Sequence, residues 1–288
     1  MARMGDPLDL QHLRSWVGRT EEAADTATAV PPRALAATLD RDDPPQPGDA
    51  LPPCWHWLYF LPLQAQSGVG EDGHPRRGGF LPPVPLPRRM WAGSRIDFHA
   101  PLQVGQPLAR ASRVADVKVK EGRSGPLVFV QVLHELRAAG ALAVTEQQDI
   151  VYRDVPQPGE AAPAPVAAPT DAEWSRRIEP DPVLLFRYSA LTFNGHRIHY
   201  DRPYATQVEG YPGLVVHGPL VATLLLDLLR RQRPQARVAQ FSFRAVSPLF
   251  DTAAFEVCGR RSDEHTVRLW ARGAAGQLAM EATAQLAL

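Results

Sequence analysis

At 288 residues, with 31 lysines and arginines against 31 aspartates and glutamates, the chain is long enough for one or two buried cores and has no net charge with which to seek nucleic acid or an anionic membrane. Its two cysteines, Cys54 and Cys258, fall in separate halves without metal-ligand spacing, so neither a disulfide framework nor a metal centre is expected. The opening MARMGDPLDLQHL has no apolar signal segment and no run of about 18 apolar residues occurs anywhere. A cytoplasmic protein acting on a small-molecule or carrier-bound substrate is the expectation.

In chain order, the first strong signal is LPPCWHWLYFLPL, Leu51 to Leu63, whose aromatic density predicts a buried helix. Residues Gln66 to Pro87 carry Gly70, Gly73, Gly78, Gly79 and five prolines, follow neither the helical nor the strand period, and read as a surface loop of lid length. Arg88, Arg89 and Trp91 come next. Alternating segments then run over Ile96 to Val104, Leu108 to Lys118, Leu127 to Arg137 and Leu142 to Tyr152, the pattern of antiparallel strands with one buried face. VPQPGEAAPAPVAAPT, Val155 to Thr170, is a Pro/Ala-rich linker between an N-terminal unit of residues 1–155 and a C-terminal unit of residues 171–288.

Past the linker, Gly218 and Pro219 open a helix that continues through VATLLLDLL until Arg230, Arg231, Arg233 and Pro234 stop it, with the cations at the negative end of its dipole. Apart from Thr223 and Asp227 this helix is apolar on every face, so a sheet must wrap around it. Four more strands follow at Val238 to Val246, Ala254 to Arg260, Thr266 to Arg272 and Gln277 to Leu286. The halves repeat: FHAPLQVG from Phe98 answers FRAVSPLF from Phe243, and AAGALAVTE from Ala138 answers AAGQLAMEA from Ala274. Each half therefore reads as a helix followed by a meander.

Polar, titratable residues concentrate in FRYSALTFNGHRIHYDRPYATQVEGYPGLVVHGPL, Phe186 to Leu220, just ahead of the apolar helix. This string resembles the MaoC-like hydratases, and more closely the type 2 hydroxyacyl-thioester dehydratases and the mesaconyl-C4-CoA hydratases. RTEEAADTAT near Arg19, CWHWLYFLP near Cys54 and LPRRMWAGSRIDFHAPLQVG from Leu86 extend the resemblance over nearly the whole chain. It implies an α+β double hot dog, with two long central helices each wrapped by an antiparallel sheet. It also implies a hydro-lyase acting on an α,β-unsaturated acyl-CoA thioester, with mesaconyl-C4-CoA, hydrated to a citramalyl-CoA, as the first substrate to consider. The second half would be catalytic and the first would shape the acyl pocket. Itaconyl-CoA hydration, dehydration of uncharged 3-hydroxyacyl thioesters, and acyl-CoA binding without turnover are the alternatives. A thioesterase fits the string TFNGHRIHYD less well.

Water addition needs a polarised carbonyl, a base for water and a proton for Cα. The Gly218 N–H, at the positive end of a helix, suits the thioester enolate oxygen. His199, with a reference pKa of about 6.5, is the expected base, against the plainer role of a structural histidine. Five residues earlier the broad MaoC-like pattern has an aspartate, where this chain has Asn194; an amide cannot titrate but can hold water, and Asn194-Gly195 is also a turn dipeptide. His199 would then carry both proton transfers, with Asp201 or Glu209 as lesser helpers. His217 either packs beneath the site or touches substrate, and Tyr204 and Tyr211 are expected as pocket walls. A free substrate carboxylate calls for a guanidinium, and Arg197, Arg88 and Arg89 beside Trp91 are the candidates, for that carboxylate or for CoA phosphates. No cofactor beyond the CoA of the substrate is expected, and a homo-oligomer is.

Overall fold

The structure is a computed structural model of the chain, and it describes residues 8–122, 125–155 and 164–287. Ten strands form one antiparallel sheet: β1 (Thr20–Thr26), β2 (Arg88–Phe98), β3 (Pro107–Gly122), β4 (Gly125–Ala138), β5 (Ala141–Arg153), β6 (Trp174–Ile178), β7 (Val238–Ala245), β8 (Phe255–Arg261), β9 (Thr266–Arg272) and β10 (Leu278–Leu286). Their order is β1-β3-β4-β5-β2-β7-β10-β9-β8-β6. The order mirrors itself about the β2–β7 seam, so the internal repeat of the sequence is a repeat of structure. Gly140 and Gly276, at matching places in the repeated AAG strings, both turn their hairpins with φ of +81°.

The seam pairs Ile96 with Phe241 and Gly93 with Arg244. At Gly93 a Cβ would lie 2.4 Å from the Phe243 carbonyl oxygen, so only glycine lets the two halves approach this closely. The main apolar core crosses the seam, taking Leu35, Trp55, Ile96 and Leu136 from one half and Leu185, Leu224, Phe241 and Leu269 from the other. A second cluster, including Val84, Leu86, Val114, Val130 and Tyr152, ties the end of the 66–87 loop to the first half. Of the expected linker, residues 156–163 lie outside the described residues; beyond them the Ala168 N–H bonds the Gly276 carbonyl at 2.9 Å.

Among the described residues four α-helices complete the fold: α1 (Leu10–Arg14), α2 (Val30–Thr38), α3 (Pro182–Leu191) and α4 (Gly218–Gln232). The helix expected from Gly218 is α4, buried along its length from Leu220 to Leu229. Its two polar residues are satisfied. The Thr223 hydroxyl donates to the Pro219 carbonyl at 2.8 Å, and the Asp227 carboxylate accepts from Arg41 at 2.9 Å, Arg176 at 2.8 Å and Arg231 at 2.7 Å.

The expected first-half helix is absent. Within Leu51 to Leu63 only Trp55–Leu58 is helical, as one 3₁₀ turn. Pro53 and Pro62 leave a window of a few residues, and Cys54 (φ +68°) and Phe60 (φ +55°) are left-handed at either end of it. A buried carboxylate fixes the turn: Glu146 accepts from His56 Nε2 at 3.1 Å and Trp57 Nε1 at 3.0 Å on one oxygen, and from Ser94 at 2.9 Å and Gln148 at 3.2 Å on the other. So among the described residues the fold has one long central helix, where two were expected. A second difference lies in β2, which begins at Arg88 and ends at Phe98, whereas the sequence suggested Ile96 to Val104. The segment from Arg88 is recruited by β5, and Pro101, with no N–H to give, lies beyond the ladder.

Candidate active site

The motif lies between α3 and α4. After α3 the chain reverses through Phe193, at φ +49°, and Asn194, whose N–H returns to the Ser189 carbonyl at 2.8 Å. The Asn194 Oδ1 accepts the His196 N–H at 3.0 Å, which leaves its amide NH₂ as the group able to meet a ligand. A 3₁₀ turn, Arg197–His199, follows.

His199 is 7% exposed. Its Nδ1 lies 2.7 Å from the Val215 carbonyl oxygen. Because a carbonyl only accepts, the proton sits on Nδ1 and Nε2 carries the lone pair. Burial pushes the imidazole pKa down to about 4, so at neutral pH it is an unprotonated base. His217 stacks on it, ring centroids 3.7 Å apart and planes 20° apart. His217 is wholly buried, meets the Ser189 hydroxyl through Nε2 at 2.8 Å, and is kept neutral by that burial. It makes no capping hydrogen bond to α4 and does not reach the cavity: it is the floor under His199, not a substrate contact.

His199, Asn194, Gly218 and Trp91 share the wall of one cavity of about 2250 Å³ that also extends into the first half past Trp57, Phe60 and Leu136. At Gly218 the first amides of α4 have no intrahelical acceptor. A Cβ there would stand 3.8 Å from the Trp91 carbonyl oxygen, an ordinary contact, so packing tolerates a side chain and the glycine keeps its amide approachable. Trp91 is fixed by its own N–H, donated to the Gly93 carbonyl at 3.1 Å and the Ser94 hydroxyl at 3.0 Å.

The arginines divide. Arg197 lies on a 3₁₀ turn; its Nε and Nη2 hold Asp201 at 2.9 and 2.7 Å, and it covers the Tyr204 ring at 4.1 Å. Arg88 holds the Glu209 carboxylate at 3.1 Å and lies 4.9 Å over Tyr211. These pairs occupy Asp201, which does not line the cavity, and Glu209, which does. Tyr211 lines the cavity, whereas Tyr204 is buried away from it with its hydroxyl on Glu209 at 3.2 Å, burial raising its pKa to about 12. Arg89 lines the cavity and is half-buried.

Three residues that sequence reasoning passed over also belong to this wall: Asp72, His74 and His196. The 66–87 loop docks on the motif through two glycines. A Cβ on Gly73, at φ +88°, would fall 1.8 Å from the Gly195 carbonyl oxygen, and the Arg197 N–H bonds the Asp72 carbonyl at 2.9 Å. This brings His74 against His196, centroids 4.0 Å apart, and His196 lies 5.4 Å from His199. The Asp72 carboxylate accepts from His74 Nδ1 at 3.2 Å. Burial would raise the Asp72 pKa, but that hydrogen bond and the neighbouring imidazoles hold it well below the usual range. Burial also lowers the pKa of His74, helped by the charge of Arg89, and lowers that of His196 strongly. Among the described residues, Asp72, His74 and His196 are the one group with metal-type donor atoms within 4.8 Å of one another, where no metal-ligand grouping was expected. Asp72 and His74 already satisfy each other. The signal for this contact was the DGH tripeptide itself, a turn with a histidine, in a stretch read as loop.

An antiparallel sheet wound around a central helix, carrying a neutral buried histidine beside the first amides of that helix, defines a hot-dog hydratase or dehydratase. The chain belongs to the family described as hydroxyacyl-thioester dehydratase type 2, whose model matches residues 54–251, from the 3₁₀ turn through β7. It is 50% identical over 276 residues to mesaconyl-C4-CoA hydratase of Chloroflexus aurantiacus, covering 94% of this chain and 97% of that one. With the mitochondrial type 2 hydroxyacyl-thioester dehydratase of Schizosaccharomyces pombe it shares 28% identity over 234 residues, covering 73% and 77%. Among solved structures, HtdX of Mycobacterium tuberculosis superimposes with a TM-score of 0.67 at 19% identity, covering 93% of this chain and all of that one. A MaoC-like dehydratase of Phytophthora capsici gives 0.64 at 14%, covering 97% and 99%. At those identities the structures speak for the fold, which is the α+β double hot dog. Among the described residues no helix is long and apolar enough to cross a membrane.

Proposed function

We propose that this enzyme adds water reversibly to mesaconyl-C4-CoA, giving a citramalyl-CoA. The observation that carries the reading is the pairing, in one cavity wall, of His199, with its lone pair on Nε2, and the Gly218 N–H at the start of α4. As the water oxygen bonds to Cβ, its proton passes to His199 Nε2, and the electrons of the double bond move to the thioester oxygen, which the Gly218 amide stabilises. The enolate then collapses and the His199 imidazolium returns the proton to Cα, so one base serves both transfers. Asn194, with its NH₂ unspent, holds the water oxygen. The extensive identity to a mesaconyl-C4-CoA hydratase supports the choice of acyl group.

On this reading the second half, residues 171–288, carries the chemistry and the first half, residues 1–155, shapes the acyl pocket, with the 72–74 turn reaching across to the catalytic wall. The carrier is CoA, the reaction runs in the cytoplasm without a dissociable cofactor, and a homo-oligomer is expected. A second reading, dehydration of uncharged 3-hydroxyacyl thioesters, draws on the aromatic cavity wall of Trp57, Tyr59 and Phe60. Loss of enoyl-thioester absorbance with mesaconyl-C4-CoA, itaconyl-CoA and crotonyl-CoA separates the readings. The expected result is fastest turnover of mesaconyl-C4-CoA, with kcat reduced about 10²–10⁴-fold in His199→Ala. Preference for crotonyl-CoA would favour the second reading, and unchanged turnover in the variant would remove His199 from the mechanism.

A further inference from the structure

Among the described residues seven arginines line the cavity, and most have their charge answered by the protein. Arg88 is held by Glu209 and Arg197 by Asp201. Arg77 donates to the carbonyls of Val84, Leu86 and Pro87, and Arg110 meets Glu21 at 3.3 Å. Arg76 is exposed, and Arg153, opposite Arg88 at the end of β5, is half-buried with its Nε unpartnered among the described residues. Arg89 shares with Arg153 the lack of an answering charge, but it stands two residues along β2 from Trp91, whose carbonyl borders Gly218. Among the described residues it has no hydrogen-bond, ion-pair or aromatic partner, yet it is half-buried on β2 opposite the fully buried Tyr152.

Its neighbourhood is the catalytic wall. Arg89 lines the cavity together with His74, His196, His199 and Gly218, and its charge lowers the pKa of both His74 and His196. The Asp72 carboxylate, in the same cavity wall, is engaged by His74 and makes no ion pair with Arg89. A partly desolvated cation without a counter-ion is costly to keep and becomes favourable when a ligand brings the anion. The position also matters. In a C4 thioester of mesaconate the remaining carboxylate is attached to Cβ, the carbon that water attacks. That carboxylate must therefore sit beside His199 and not at the far end of an acyl tunnel.

We propose that Arg89 is the carboxylate-binding subsite of this enzyme, selecting four-carbon-backbone dicarboxylate mono-thioesters over uncharged acyl groups. The identity of the carboxylate rests on the proposed hydratase reading, but the subsite is tested without turnover. The guanidinium grips the carboxylate in bidentate fashion, fixes Cβ against the water held at His199, and offsets the negative charge that would otherwise repel the attacking oxygen.

The test is equilibrium binding, by calorimetry, of succinyl-CoA, butyryl-CoA and free CoA to the wild-type enzyme, Arg89→Gln and Arg89→Lys. Succinyl-CoA carries its carboxylate on the same carbon as the substrate and cannot react. The expected result is tighter binding of succinyl-CoA than butyryl-CoA by the wild type, and a loss of about 10- to 100-fold for succinyl-CoA alone in Arg89→Gln, as for other hydrogen bonds to charged groups. Arg89→Lys should recover part of it. Equal weakening of all three ligands would assign Arg89 to the CoA phosphates and overturn the proposal, as would unchanged succinyl-CoA binding. Unchanged butyryl-CoA binding shows that the variant is folded. A hydratase that prefers crotonyl-CoA yet loses succinyl-CoA binding in Arg89→Gln would defeat the substrate reading and leave the subsite standing.

Discussion

The two halves share a strand order but not a centre. In the second half the sheet wraps α4, fifteen residues long, while in the first the corresponding segment is a four-residue 3₁₀ turn. Each solves the problem of a polar group in its core differently. Asp227 on α4 gathers three guanidiniums and keeps the helix closed against the sheet. Glu146 on β5 gathers His56, Trp57, Ser94 and Gln148 and pins a turn in place of a helix. What differs is what each centre can offer a ligand. An intact helix presents unpaired amides at its start, whereas a collapsed one leaves space, and the cavity runs from Gly218 into that space past His56 and Trp57. On the proposed reading, the half with the intact helix carries the chemistry and the half without it accommodates the acyl group.

The comparison can be broken most severely at Asp227. Asp227→Ala strands Arg41, Arg176 and Arg231 around a buried gap and should cost about 3–5 kcal/mol of stability, read by urea denaturation. A loss below about 1 kcal/mol would mean that the cluster does not hold α4. Gly218→Pro sharpens the contrast from the other side. His217, at φ −62° and ψ 130°, already has the conformation that precedes proline, and proline is favoured at the first helical position, so the helix should survive while one amide disappears. The expected outcome is a fall in kcat of about 10²–10³ with the melting temperature kept. Near wild-type kcat would move the oxyanion site away from α4.

Much of the second half was legible because its local signals agree with its tertiary role. Thr266–Arg272 has the observed bounds, Val238, Phe255 and Leu278 begin strands within a residue of expectation, and α4 starts at the glycine that was read as its opening. The first half was less legible because long-range contacts overrode local pattern. The aromatic segment from Leu51 looks helical until Glu146, 90 residues from His56, claims its polar edges. β1, β6, α2 and α3 are short or weakly patterned, and the sequence reading passed over them. In the site, His199, Asn194 and Gly218 stood out because they are close in sequence. Asp72 and His74 did not, because long-range contacts, Gly73 on Gly195 and the Arg197 N–H on the Asp72 carbonyl, bring them there. Among three candidate arginines the sequence had no means of choosing; the choice depends on which of them Asp201 and Glu209 already hold.

If His199 works as a buried, neutral base, the pH dependence of kcat/KM must show it. Burial lowers its pKa to about 4 in the folded enzyme, against about 6.5 in the unfolded chain. A base with a depressed pKa is active above that value, so activity should stay level as pH falls through 6.5 and be lost only as it passes through about 4. The same shift makes folding stability decline as pH drops from about 6.5 towards 4, since the unfolded chain takes up the proton first. Initial rates after a rapid pH jump keep the two effects apart. An acid limb near 4 would support the account; a limb near 6.5, or a rate that rises on acidification, would contradict it.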